Sequence, residues 1–424
     1  MINELLSSAK KNNIELEVYK ERNINSSIEV YDNKIESFET FDITSYKIKA
    51  IYNKKTINIE TEKIDDVENI IKLIKEQSDI IDNNEEDSLA NNSEVIECVI
   101  NDKKFDYNQI QKNMLDFYKF KTKYDNISSI MTSVSIDRTD IGIYNTLGTK
   151  LEDSNSCVLC MSEIVMNFNG KNKTNYRYFY DKNYEIDKFY DMIEQLIKET
   201  IEKEMAESIE TQKYNIVLDN RCVANLLSHF SNIYDAENIN KNKSVLSKKF
   251  NEKVFSDKIT IVEDPQNENY IGKRLFDDEE TKTFYKEIIK NGYFITKLYD
   301  NKTAIKDKTK STGNSFGTRN MYIVPGQLNK NELIKELNDG IYITYIEGLH
   351  AGIDNTTGDI SLQAEGYLIK NGEKEKALNM IILSTNIFEL FKNVIEVGND
   401  LEFFSITSGA PSLLIRDITI VGQK

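Results

Sequence analysis

Apolar residues in this chain recur at two different spacings, and the switches between them constrain the fold more than any other feature. Ile14, Leu16 and Val18 alternate with polar neighbours up to Tyr19, the pattern of a strand buried on one face. Segments at about 26–31, 35–41 and 45–59 continue that pattern, separated by polar breaks such as Tyr31-Asp32-Asn33-Lys34. Over 64–80 the period lengthens, with Ile64, Val67, Ile70, Ile71 and Ile74 falling on one helical stripe. A short helix over about 3–13 precedes these elements, and the acidic, Asn-rich stretch Asp82–Ser93 reads as a loop.

The alternation between periods continues along the chain. The spacing predicts a helix over about 106–122, a strand at 128–136, and a hairpin-like passage through 137–143 to Asn145-Thr146-Leu147-Gly148. Strands follow near 157–168 and 175–180, then a long charged helix from about 185 to 212 with Phe189, Met192, Ile193 and Leu196 as its apolar stripe. Beyond Tyr214 strands and turns dominate. Asn291-Gly292 and Asn371-Gly372, each between alternating segments, are the strongest hairpin signals, although 283–290 also fits a short helix capped by Gly292. Ile341, Ile343 and Tyr345 mark a strand, 386–394 a helix and 413–421 a terminal strand. The class is therefore α+β. An N-terminal strand/helix domain spans 1–185, a connecting helix 186–213, and a larger, mostly β C-terminal domain 214–424.

Composition narrows the function classes. A formal charge of −16 supplies no excess of cations to neutralise phosphates, so direct nucleic-acid binding is not expected. No apolar run, Met380–Leu383 included, approaches a membrane span, and the first residues do not read as a secretory signal. With four cysteines, Cys98, Cys157, Cys160 and Cys222, the expectation is a reducing cytoplasm with free thiols.

The two histidines, His229 and His350, limit the available chemistry. Neither belongs to a His-Glu-x-x-His pattern, so a zinc-hydrolase helix is not legible, though a mixed site of His229 with distant carboxylates stays open. His229 in Leu226-Leu227-Ser228-His229-Phe230 reads as a half-buried helix residue with a packing or interface role. Cys157-Val-Leu-Cys160 has redox-pair spacing, but it falls in a strand, which points the two thiols to opposite faces. Ser311-Thr-Gly-Asn314-Ser-Phe-Gly317 lacks the lysine of a phosphate loop and reads as a tight loop near a central groove. The densest polar stretch is Gly348-Leu-His350-Ala-Gly-Ile-Asp354-Asn355-Thr-Thr-Gly-Asp359. Its glycines permit sharp turns, its Asp and Asn side chains can cap them, and its exposed backbone could pair with an extended peptide.

Taken in order, several short blocks resemble the TldD/PmbA family. They are Phe276-Asp-Asp-Glu279, Asn291-Gly292, Ser311–Asn314, Gly352 through Gly358-Asp359, Gly366 through Glu373, Val397-Gly-Asn-Asp400, and Pro411–Ile415 through Gly422. In the TldD branch a helix at the start of the second domain carries a His-Glu-x-x-x-His zinc motif, and a C-terminal cysteine adds a ligand. The equivalent helix here, Asp219–Tyr234, has His229 alone, and Phe403–Pro411 has no cysteine. No metal ligand and no catalytic residue transfers, and the chain is similar to the PmbA (TldE) branch that lacks the motif.

The resemblance implies a two-domain α+β fold and a dimer, with itself or with a TldD-type subunit that carries the zinc. Together the subunits would enclose a cavity where unfolded peptides are cut. The chain itself would hold no cofactor and be inactive alone. Proteins of this branch were once described as modulators of DNA gyrase. His229, Asn314, His350, Asp354, Asn355 and Asp359 are the candidates for cavity or interface contacts. Two other readings remain open: an independently active metal-dependent hydrolase with an atypical site, and a homodimeric peptide-binding scaffold.

Overall fold

A computed structural model describes residues 1–81, 89, 95–98 and 103–423. Most of the stretch read as the Asp82–Ser93 loop lies outside the described residues. The N-terminal part is built on one sheet of very long strands: β1 (Glu15–Tyr31), β2 (Lys34–Tyr52), β3 (Lys55–Thr61), β4 (Val95–Ile96), β5 (Ile127–Asn145), β6 (Lys150–Phe168) and β7 (Lys171–Asp181). The spatial order is β3-β2-β1-β5-β6-β4, with β7 also on β6, and every pairing but β4–β6 is antiparallel.

The segments 14–19 and 26–31 are thus one strand, as are 128–136 and 137–143, and the hairpin read there turns at Asn145–Thr149 between β5 and β6. Helices explain the difference. Leu16 and Val18 on β1 pack under α1 (Ile2–Lys11) and α2 (Val67–Ile80), while Ile28 and Val30 on the same face pack under α3 (Tyr107–Asp116) and α5 (Ile186–Glu202). Residues 19–25 between them are covered by neither pair, so they need no apolar alternation. Their ladders to β2 and β5 hold them extended.

Three other element ends also differ. The helix expected at 106–122 breaks at Phe117-Tyr118, beyond which α4 (Lys119–Lys123) continues, because Phe117 and Phe120 turn into the core against Phe189 and Tyr190. The strand read at 45–59 turns at Asn53-Lys54, both in the left-handed region. The connecting helix of 186–213 ends at Glu202, and its buried Phe189, Met192, Ile193, Leu196 and Ile197 make α5 part of the N-terminal core.

Two sheets form the C-terminal part. One contains β8 (Gln212–Leu218), β13 (Gly340–Glu347), β14 (Asp359–Lys370), β15 (Glu373–Asn386), β16 (Val394–Val397) and β19 (Leu413–Val421), in the order β15-β14-β13-β8-β19-β16. The other contains β9 (Ile261–Glu263), β10 (Lys286–Lys290), β11 (Tyr293–Phe294), β12 (Met321–Ile323), β17 (Glu402–Phe403) and β18 (Ser408–Ala410). Both Asn-Gly hairpins form as read, and 286–290 is strand. The larger core lies between the sheets, joining Ile341 and Ile343 to Leu226 of α6 (Asn220–His229) and to Met321 and Ile323. The opposite face of β13 carries Tyr342 beneath Leu333 and Leu337 of the helix Lys330–Leu337. The fold is α+β, as read, with two domains.

The segment 271–280 straps the second part onto the first sheet. Phe276 is fully buried among Ile141, Ile143 and Leu151. Asp153 of β6 accepts from Lys273 Nζ and from the Leu275 N–H, both at 2.8 Å. Gly272 is required there, since a Cβ would lie 2.0 Å from the Ile406 carbonyl. Among the described residues no helix is long and apolar enough to cross a membrane.

Candidate functional site

Helix α6 starts from a buried polar knot. Asp219 caps it by accepting from the Arg221 N–H, and also receives Lys330 Nζ at 2.8 Å and the Tyr342 hydroxyl at 2.5 Å. Burial opposes the Asp219 charge, yet Lys330 and Tyr342 outweigh it and hold the carboxyl below the usual range. Asp400 draws in the other side of the knot, accepting from the Ser412 N–H and hydroxyl, both at 2.8 Å.

Along its second half, α6 meets the loop that leads into β18. Ser228 and Thr407 share a hydrogen bond at 3.0 Å, Thr407 and Ser405 another at 2.8 Å, and the Ser408 hydroxyl donates to the Ala224 carbonyl. His229, half-buried, closes the helix edge-on to Phe230. His350 is exposed on the one-turn helix Leu349–Gly352, which follows β13 after Gly348 in the left-handed region. Burial, and then the charge of His350 in the same region, push His229 below its ordinary range. Neither imidazole has a hydrogen bond or ion pair among the described residues.

The rest of the β13–β14 connection is a set of turns. Asp354 accepts from the Thr356 and Thr357 N–H groups. Asp359 accepts from Asn386 Nδ2 at 3.0 Å and from the Thr357 hydroxyl at 2.8 Å, which hold its exposed carboxyl below the usual range. The Asn355 carbonyl receives the Val245 N–H, while its side-chain oxygen is buried without a partner. Asn314 stands apart, in the other sheet's surroundings. Its amide donates to both oxygens of buried Glu263 at 2.9 Å, beside the Lys286–Glu263 ion pair at 2.6 Å.

Next to α6 runs a cleft that the sequence reading did not identify. Arg221, Tyr345, Glu347, Glu365 and Asn379 line its polar end, about 340 Å³, against β7 and the end of α5. Four of these residues continue into an apolar end of about 300 Å³ along Met380–Ile382 and Val421–Gln423. The Asn379 side-chain oxygen is buried there without a partner. Only the alternation of β13 hinted at this cleft, because β7 and α5 reach it from the other domain.

Chemically, the α6 cluster offers hydroxyls and two unsupported imidazoles. Among the described residues no three His, Cys, Asp or Glu side chains are grouped to hold a metal ion. Ser228, Thr407 and Ser405 are poor zinc ligands and already satisfy one another, so the residues present do not fit the zinc that the resemblance assigns to TldD-type helices. Cys157 and Cys160 share β6 without pairing. Burial pushes the Cys157 thiol up to about 11 and raises Cys160 as well, the opposite of a reactive redox pair.

Comparisons with known proteins agree on one family. Residues 211–422, half of the chain, match the model of the PmbA/TldA metallopeptidase C-terminal domain. The metalloprotease PmbA of Escherichia coli O157:H7 is 27% identical over 227 residues, 53% of this chain and 50% of that relative. The match thus spans about half the length of that relative. Two solved structures show the fold. A Thermotoga maritima protein described as a candidate modulator of a DNA gyrase superposes with a TM-score of 0.87 at 24% identity, covering 99% of each chain. TldE from Thermococcus kodakarensis superposes with a TM-score of 0.81 at 19% identity, covering 99% of this chain and all of that one. The chain belongs to the TldD/PmbA family.

Proposed function

We propose that this chain is the non-catalytic subunit of a TldD-type zinc metalloprotease that cleaves unfolded peptides. One observation carries the reading: where α6 meets the 405–408 loop, hydroxyls bond to one another, and among the described residues neither histidine is supported by a carboxylate. A metal-activated hydrolase needs ligands and a positioned base there. Hydrolysis would therefore belong to the partner.

This chain would contribute the wall of the cavity. An extended peptide would lie in the cleft beside β13, with Asn379 and the Arg221 guanidinium as polar contacts. His229, His350, Asp354, Asn355 and Asp359 would form the adjoining face toward peptide or partner. Asn314 would act indirectly, by holding Glu263.

The test is metal content and cleavage of an unfolded peptide by the purified chain, alone and mixed with a TldD-type chain from the same host. The expected result is no metal and no cleavage alone, with cleavage on mixing beyond that of the partner by itself. Stoichiometric metal with turnover by this chain alone would favour the independent hydrolase. Binding without cleavage in every mixture would favour the scaffold.

A further inference from the structure

Between the first sheet and the 271–280 strap lies a second cleft, of about 270 Å³, on the face of β1 and β5 away from their helices. Its walls carry opposite charges, Glu21 and Asp137 on the sheet side and Lys273, Arg274 and Arg319 on the other. Two of the three cations are already matched. Lys273 pairs with Asp153 at 2.8 Å, and Arg274 reaches Asp278 at 2.6 Å and the Phe276 carbonyl at 2.9 Å.

Arg319 is different. Its Nε is buried with no hydrogen-bond partner, and no carboxylate among the described residues pairs with its guanidinium. The guanidinium carbon lies 5.3 Å from the centre of the Phe316 ring, which Arg274 approaches to 5.0 Å. Burial, and then the charge of Arg274, disfavour its protonated form, and the more distant Asp278, Tyr19 and Glu21 offset this only in part. Its backbone is nevertheless pinned, since its N–H donates to Glu263 at 2.8 Å and that of Asn320 to the Ile406 carbonyl at 3.2 Å. A guanidinium held in place without a counter-ion is unfavourable in the free protein, and its planar fork matches a carboxylate.

The facing acids complete the pattern. Glu21 accepts only from Asn23 and the Tyr19 hydroxyl, and Asp137 from Asn25 and Ser135, so among the described residues neither is in an ion pair, and Glu21 faces Arg319 across the cleft without touching it.

We propose that this cleft binds a small zwitterion, a free amino acid or a dipeptide, with its carboxylate on Arg319 and its ammonium toward Glu21 and Asp137. The site is separate from the cleft beside β13 and does not depend on the protease reading. Its size excludes a folded partner, and its acidic wall disfavours polyanions.

The test is calorimetric binding of alanine, Ala-Ala, Ala-Ala amide and inorganic phosphate to the intact chain and to Arg319→Gln and Arg319→Lys. Alanine or Ala-Ala is expected to bind, and whichever is tighter identifies the source. Amidation and Arg319→Gln should each weaken binding by at least about tenfold, the loss of one charge-assisted pair, with partial recovery in Arg319→Lys. Without ligand, Arg319→Gln should melt no lower than the parent. Equal binding of acid and amide, tighter binding of phosphate, no binding at all, or a clearly lower melting temperature for ligand-free Arg319→Gln would each overturn the assignment.

Discussion

Replacing Lys286 by Met removes the one cation that Glu263 has in the described structure. Glu263 is fully buried and Lys286 is 5% exposed, with Nζ 2.6 Å from Oε2. The carboxylate would keep three hydrogen bonds, two from Asn314 Nδ2 at 2.9 Å and one from the Arg319 N–H at 2.8 Å, but no opposite charge. Breaking a buried pair on one side costs about 3–5 kcal/mol, and the retained donors place this case near 3 kcal/mol. Glu263→Gln combined with Lys286→Met removes both charges while leaving an acceptor for those N–H groups. That double variant should lose only about 1 kcal/mol. The chain has no Trp, so urea unfolding is best followed by far-UV circular dichroism, with an unchanged slope confirming that the midpoint reports stability. A loss below about 1 kcal/mol for Lys286→Met alone, or an equal loss for the double variant, would refute the reasoning that the pair is needed because it is sealed from water.

Three further outcomes are expected. Burial, and then a hydrogen bond with the Glu17 carboxyl, push Glu280 up to about 8 at the domain junction, where Asn145 and Thr149 also bond to it. A raised acid favours folding when protonated, so its contribution is complete below about pH 4.3 and is lost as pH rises through about 8. The melting temperature should therefore fall between pH 6 and 9 in the parent and stay level in Glu280→Gln; parallel profiles would disprove this. Gly292→Ala places a Cβ 2.3 Å from the Phe255 carbonyl at φ +80°, and should cost more than about 1 kcal/mol in the same urea assay. Tyr342→Phe removes a donor to buried Asp219 and should cost about 1–3 kcal/mol; a neutral result would mean that Lys330 alone satisfies the cap.

Turns and short amphipathic elements were legible because their causes are local. Asn291-Gly292 and Asn371-Gly372 close their hairpins because both residues of each pair take the left-handed region, which Asn and Gly tolerate. The strand 413–421 and the helix over 64–80 were legible from periodicity, since one face of each is buried along its length. The lack of a second histidine one turn from His229 was also a property of the sequence, and no folding could supply one.

Other features depended on residues far apart in the chain. The middle of β1 carries little apolar alternation, because it is held by ladders to β2 and β5 with no helix above it. His350 comes near enough to influence His229 only because α6 packs beside β13, and buried Glu263 finds its cation and its amide donor only because Lys286 of β10 and Asn314 arrive from separate parts of the chain. Arg319 looked like any other basic residue until Lys273 and Arg274 were seen to have partners and it was not. Periodicity and turn chemistry act over a few residues, so the sequence alone determines where elements form and which ligands are missing. Burial and charge pairing sum over contacts from both domains, so the tertiary structure decides which polar groups are satisfied and which are left facing a cleft.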